Sequence, residues 1–181
     1  MSLRVKGAQL VLFDMTYDLD FQEEAKINDH VKKFLLFPEF WNASENKIST
    51  NLKWKRKKFN KQNLSNVPDK KGIYAFVLVP SFNNFFTTMY LFYIGKTNRT
   101  LRQRFREYLN EKEGKGKPRK KVYKMLNQYD GYLYFVYSEI NDENDVDKCE
   151  QCLLNTFVPH VNASIPKAKI KPELMYIYEG N

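Results

Sequence analysis

The sequence predicts an α+β fold: a small antiparallel sheet of about three strands flanked by helices. Three observations predict it. Apolar runs at 73–79 and 89–94 read as adjacent strands joined by a hairpin. Two helical patterns follow, at 100–109 and 119–129, and then an aromatic-rich strand at 132–140. A last helical pattern at 146–157 completes the order β-β-α-α-β-α.

Each element has its own signals. Pro80 ends the first strand, and 81–88 reads as a long hairpin loop that exposes Phe82, Phe85 and Phe86. Thr100 followed by Gln103 is a capping box that opens the first helix. Gly114-Lys115-Gly116-Lys117-Pro118 is a loop, and the helix after it gathers Val122, Met125 and Leu126 on one side. Gly131 restarts a strand. Asp142 or Asn144 caps the last helix, which buries Val146, Cys149, Leu153 and Phe157 and stops at Pro159.

Ahead of this region lies an α/β extension. Residues 10–13 are an apolar strand, and Asp20 with Glu23 forms another capping box. The spacing of Ile27, Val31, Phe34 and Leu35 predicts an amphipathic helix ending before Pro38. A strand through Ile48, Leu52 and Trp54 is expected next, and the Asn-rich segment 60–69 is a connection. The organisation read from the chain is an extension at 1–69 that packs on the domain, a principal domain at 70–165 and a tail at 166–181.

Composition narrows the function classes. At 181 residues with 43% hydrophobic and 15% aromatic residues, the chain can bury a core and is not a low-complexity segment. No apolar run approaches the ~20 residues of a membrane span, and the first residues lack the apolar core of a signal peptide. The two cysteines, Cys149 and Cys152, sit on one predicted helix without a second Cys or His pair. They read as reduced helix thiols rather than half of a zinc site, which fits a cytoplasmic protein.

Net charge is +9, and its distribution says more than its sum. Residues 96–124 hold 12 Lys/Arg against 3 Glu, and residues 46–61 hold 7 Lys/Arg and no acid. Residues 139–150 reverse the sign, with 6 acids and one Lys. Basic runs of that density attract a polyanion through counterion release, and the aromatic residues among them suit nucleic acid. Lys55, Arg56, Lys57, Lys58, Arg99, Arg102, Arg106, Lys117, Arg119, Lys120 and Lys121 are the candidate contacts. The plain alternative for such runs is a solvated surface.

Gly72-Ile73-Tyr74 and Tyr93-Ile94-Gly95 lie in the two hairpin strands, and Lys96-Thr97 continues the second. Arg104 follows nine residues after Gly95, early in the next helix, and Glu150, Pro159 and Asn162 form a Glu-x8-Pro-x2-Asn pattern. This set, in this order, resembles the GIY-YIG endonuclease family over roughly residues 70–165. The resemblance implies a metal-dependent nuclease with Tyr74, Tyr93, Lys96, Arg104, Tyr108, Glu150 and Asn162 in its site. Many members carry a histidine where this chain has Tyr108. Glu150 would hold Mg²⁺ (or Mn²⁺), and Arg102 is the fallback if the helix register differs.

The residue types suit that chemistry on their own terms. One carboxylate can hold a Mg²⁺ that keeps most of its waters, and a guanidinium fork matches a phosphate. A phenol becomes a base only where cations favour its ionised form, so Tyr74 or Tyr93 needs Lys96, Arg104 or a metal close by. Tyr74 is the preferred of the two. The expected partner is DNA, with RNA left open, and a dimer would fit a restriction-like enzyme. The competing class is a non-catalytic nucleic-acid-binding module that keeps the fold.

Overall fold

Residues 26–45, 47–80 and 88–162 are described by a computed structural model of the chain. The chain divides into two compact units, residues 1–33 and 34–181. Of the first unit, residues 26–30 are helical. The expected strand at 10–13, the capping box at Asp20, most of the hairpin loop at 81–88 and the tail at 166–181 lie outside the described residues.

The second unit orders as α1 (Pro38–Glu45), β1 (Lys55–Lys58), a 3₁₀ turn (Lys61–Asn66), β2 (Gly72–Leu78), β3 (Tyr90–Thr97), α2 (Leu101–Lys112), α3 (Lys120–Gln128), β4 (Leu133–Glu139) and α4 (Glu143–Phe157). The architecture is α+β, and the sheet is antiparallel with strand order β1-β4-β2-β3. It has four strands rather than three. The fourth is Lys55–Lys58, paired with β4, while residues 47–54, where the strand was expected, are irregular. Periodicity misses this strand because it contains no apolar residue and occupies a sheet edge, where charged side chains are tolerated on an open side.

The helix expected to end before Pro38 is a second difference. Helical structure stops at residue 30, and a new helix begins at Pro38. Proline suits the first turn of a helix because its missing N–H would have no partner there anyway. Ile27 is 64% exposed, so the spacing that suggested a buried stripe does not make one. Phe34 belongs to the second unit, where its ring packs against Tyr90 and Phe92.

Two apolar layers sandwich the sheet. Tyr74, Phe76, Phe135 and Tyr137 point to one face with Phe59, Leu101, Phe105, Leu109, Met125 and Leu126. Ile73, Ala75 and Ile94 point to the other with Val146, Cys149 and Leu154 of α4. Strand alternation explains the split, and burial on both faces explains why residues 73–77 read as one continuous apolar run. Edge-to-face contacts join Phe59 to Phe76 at 5.1 Å and Phe105 to Phe135 at 5.1 Å between ring centroids.

Local signals set the helix ends. Thr100 caps α2 by accepting from the Gln103 amide at 3.0 Å. Asp142, not Asn144, caps α4, accepting from the amides of Asn144 and Asp145. Before Pro159, Val158 turns left-handed at φ 44° and ends the helix. Both cysteines are free, and burial pushes the Cys149 thiol above its ordinary pKa. Among the described residues, no helix is long and apolar enough to cross a membrane.

Gly72 is where β2 must enter tightly against β4: a Cβ there would fall 2.2 Å from the Ser138 carbonyl oxygen. Gly72→Ala should therefore destabilise the domain by about 1–3 kcal/mol, read as a lower midpoint in urea with an unchanged m-value. An unchanged midpoint would mean that the sheet does not close as described.

Candidate active site

Tyr74 is the centre of the site. Its ring is buried, 1% exposed, and points across the sheet over Gly95, its partner on β3. A Cβ at Gly95 would lie 2.5 Å from the Tyr74 hydroxyl, so the glycine clears the path of the phenol. The hydroxyl is not stranded. Arg104 Nε donates to it at 2.9 Å, and it shares a 3.0 Å hydrogen bond with the Tyr108 hydroxyl. Burial pushes the Tyr74 phenol above its ordinary pKa and Tyr93 adds to the rise, while the Arg104 charge and the bonds from Arg104 and Tyr108 oppose it. Tyr108 is raised for the same first reason. Both phenols are therefore neutral hydrogen-bonding groups around neutral pH in this arrangement.

Helix α2 supplies the opposite wall. Its apolar stripe, Leu101, Phe105, Tyr108 and Leu109, packs on the core. A polar stripe runs beside it through Arg104, Glu107, Tyr108 and Glu111, at i, i+3, i+4 and i+7. Arg104 sits over the Tyr108 ring at 4.9 Å and bonds Glu107 at 2.6 Å. Burial works against the Glu107 carboxylate, but bonds from Arg104 and Arg99 outweigh it and hold its pKa below the usual range.

Tyr93 lies beside Tyr74, with ring centroids 6.3 Å apart. At 9% exposed it is nearer the solvent than Tyr74 or Tyr108. Its hydroxyl accepts from Arg119 Nη1 at 3.2 Å. Sequence reasoning placed Arg119 among general basic contacts and overlooked its place among these tyrosines. Glu111 and Asp147 were overlooked as well. A sequence signal for Glu111 exists in its i+7 spacing from Arg104; Arg119 has none, because it arrives by the folding-back of loop 113–118.

Lys96 and Glu150 form a second cluster. Lys96 pairs with Ile73 across β2 and β3 and so faces α4, opposite to Tyr74. Its ammonium lies 2.8 Å from Asp147 and 3.1 Å from Glu150, one helical turn apart, and the Asp147 bond, followed by the Glu150 bond, raises its pKa against burial. The Glu150 carboxylate thus points at a place where positive charge already sits. Among the described residues no three His, Cys, Asp or Glu side chains gather to cage a metal. Carboxylate oxygens without a thiolate or imidazole beside them fit a largely hydrated Mg²⁺ or Mn²⁺ better than an enclosed zinc.

Asn162 is committed to the outer edge of β3. It accepts from the Ile94 amide at 3.0 Å and donates to the Ile94 carbonyl at 2.8 Å, next to a bond from the Val161 amide to the Phe92 carbonyl. The side chain thereby completes the edge of the strand that carries Tyr93 and Lys96. The structure ties Asn162 to backbone rather than to the tyrosine hydroxyls.

The expected basic contacts divide. Arg102 is spent on the preceding connection: it donates to the Val67 carbonyl at 2.7 Å, pairs with Asp69 and reaches the Ser65 carbonyl at 3.4 Å. Its fork is engaged by these partners, while Arg104 is the arginine that reaches the Tyr74 hydroxyl. Arg99 pairs with Glu107, whereas Arg106, Lys117, Lys120 and Lys121 are exposed. The strand run Lys55–Lys58 and the strand that carries Tyr93 are opposite edges of the sheet. Lys55 and Lys57 lie in register with Tyr137 and Phe135, on the Tyr74 face. Arg56 and Lys58 fall on the other face, as strand alternation requires.

The hairpin thus presents two tyrosines to an arginine-bearing helix, with a carboxylate helix behind its edge strand. The chain matches the GIY-YIG catalytic domain over residues 70–162, just over half its length, and it belongs to that family. No curated protein and no solved structure matches it significantly.

Replacing Asn162 with Ala removes both of its bonds to Ile94 and leaves those backbone groups without their partner. Stability should fall by about 1–3 kcal/mol, with faster hydrogen exchange at the Ile94 amide. Exchange no faster than in the wild-type chain would show that the strand edge does not depend on Asn162.

Proposed function

We propose that this protein is a compact, metal-dependent endonuclease that hydrolyses DNA phosphodiester bonds, as a restriction-type enzyme does. The observation that carries this reading is the Tyr74–Arg104–Tyr108 cluster, a buried set of hydroxyls tied to a planar cation. Such a cluster suits a phosphoryl group. Arg104 supplies charge and directed donors where negative charge builds on the phosphoryl oxygens. Tyr74 and Tyr93 orient the attacking water and can receive its proton once a cation favours the phenolate.

Glu150 would hold Mg²⁺ (or Mn²⁺), which when bound supplies Lewis-acid stabilisation of the phosphate and leaving oxygen. Lys96 now neutralises Glu150, and its second carboxylate, Asp147, gives the ammonium a place to stay when Glu150 takes another cation. Asn162 braces β3 so that Tyr93 and Lys96 keep their spacing. Arg106, Lys117, Lys120 and Lys121 follow the backbone of the nucleic acid beyond the site. Free cysteines fit a cytoplasmic setting, and a dimer would let two such sites cut a duplex.

Plasmid cleavage with and without Mg²⁺ is the direct test. Wild-type protein should nick or linearise DNA only with the metal. Glu150→Gln should abolish cutting while DNA binding persists, because the basic surface is unchanged. Cutting by Glu150→Gln at the wild-type rate would remove Glu150 from the metal role. Binding without cleavage under all metals would favour a non-catalytic module, and cleavage of RNA alone would change the substrate.

Arg104→Lys keeps the charge but loses the fork, so the rate should fall ~10²–10³-fold with little change in affinity. Binding should also weaken with salt. Neutralising Lys117, Lys120 and Lys121 together should flatten the log–log slope by about 0.9 for each phosphate that the protein no longer neutralises. A slope unchanged by the triple substitution would make those lysines a merely solvated surface.

A further inference from the structure

Arg119 departs from the other exposed cations of its run. It precedes the first residue of α3 and folds back onto the last turn of α2. There the Glu111 carboxylate accepts three bonds from it: from the backbone amide at 2.7 Å, from Nε at 3.1 Å and from Nη2 at 2.8 Å. Glu111 is only 13% exposed, so this is a shielded, two-pronged ion pair rather than a loose surface one. Nη1 then reaches the Tyr93 hydroxyl at 3.2 Å. The guanidinium lies over the rings of Tyr108 at 5.2 Å and Tyr93 at 5.7 Å.

The arrangement repeats that of Arg104. Each signature tyrosine has an arginine on its hydroxyl, and each arginine has a glutamate of α2 behind it. Both guanidinium groups share the Tyr108 ring, so their Cζ atoms are no more than about 10 Å apart. One phosphodiester group, or two successive ones, can bridge that span. Each guanidinium is balanced by its own glutamate, which lets the two cations stay this close before an anion arrives. Arg119 is the more open of the two, with 44% of its side chain exposed against 25% for Arg104. Of the five N–H donors on its guanidinium, Glu111 takes two and Tyr93 one, and the Tyr108 hydroxyl is a further partner, which leaves at least one donor for a ligand.

We propose that Arg119 is a second phosphate-binding residue of the catalytic centre, entering on the Tyr93 side while Arg104 acts on the Tyr74 side. This rests on the nuclease reading above. Glu111 is its positioning residue: it fixes the fork before substrate arrives, so little side-chain entropy is lost on binding. A peripheral backbone contact would need no such anchor and would not touch a signature tyrosine.

The test separates rate from binding. Single-turnover plasmid cleavage at saturating enzyme is compared with DNA affinity measured in the Glu150→Gln background, where no cutting occurs. Arg119→Ala should lower the saturating rate ~10²–10³-fold while affinity changes only severalfold. Arg119→Lys should recover the affinity but not the rate, since an ammonium cannot hold Glu111, Tyr93 and a phosphate together. An Arg119→Ala rate within threefold of wild type, with affinity reduced, would reduce Arg119 to a backbone contact and overturn the proposal. Should Arg119→Ala lose its thermal unfolding transition, Arg119→Lys decides by the same two readings, and a wild-type rate there overturns the proposal equally. A wild-type chain that cuts no plasmid in Mg²⁺ or Mn²⁺ sinks the DNA-nuclease reading itself.

Discussion

The buried hydroxyl of Tyr74 is the constraint on which the site is built. A phenol taken out of water without partners costs free energy, so the fold must bring donors to it. It does so by leaving Gly95 bare on the neighbouring strand and by starting α2 where Arg104 and Tyr108 both reach the same oxygen. The Thr100 cap fixes that start. The same requirement accounts for the two strand motifs together, since the tyrosine of one needs the glycine of the other.

Helix α2 does two jobs with two adjoining stripes. Leu101, Phe105 and Leu109 anchor it on the sheet, and Arg104, Glu107 and Glu111 form the polar stripe that holds the arginines. Tyr108 belongs to both: its ring is core and its hydroxyl is site. A tyrosine can take this position, where many family members have histidine, because it offers a hydroxyl at the end of a large apolar ring. In return the group titrates far above neutrality, and burial moves it further in that direction. Tyr108 is therefore a hydrogen-bonding link rather than a proton switch near pH 7.

Strand β3 connects the two side-chain clusters. Alternation sends Tyr93 to the arginine side and Lys96 to the α4 side, where Asp147 and Glu150 wait. An edge strand is the natural place for this, because groups from both faces of a sheet can meet a ligand around its edge. Its open backbone would otherwise invite pairing with another chain. The residues after α4 cover it through Val161 and Asn162.

Much of this was legible in the sequence, for physical reasons that can be named. Residues 73–77 announce a doubly buried strand by their unbroken apolar run, Thr100 and Asp142 announce helix starts by their side-chain oxygens, and Pro159 announces a stop. Apolar runs and capping signals placed Tyr74, Tyr93, Arg104 and Glu150 on the elements that carry them, and the family resemblance singled them out. The basic strand β1 was not legible, since four consecutive cations have no apolar alternation and only pairing with β4 makes them a strand. Nor was the break before Pro38, where apolar spacing suggested a helix that burial does not support. Tertiary structure alone decided which cations matter. Arg102 and Arg119 look alike in a basic run, yet one is bound to the 65–69 connection and the other to Glu111 and Tyr93. Charge is a property of the residue, whereas the partner that fixes a guanidinium is set by how the chain folds back on itself.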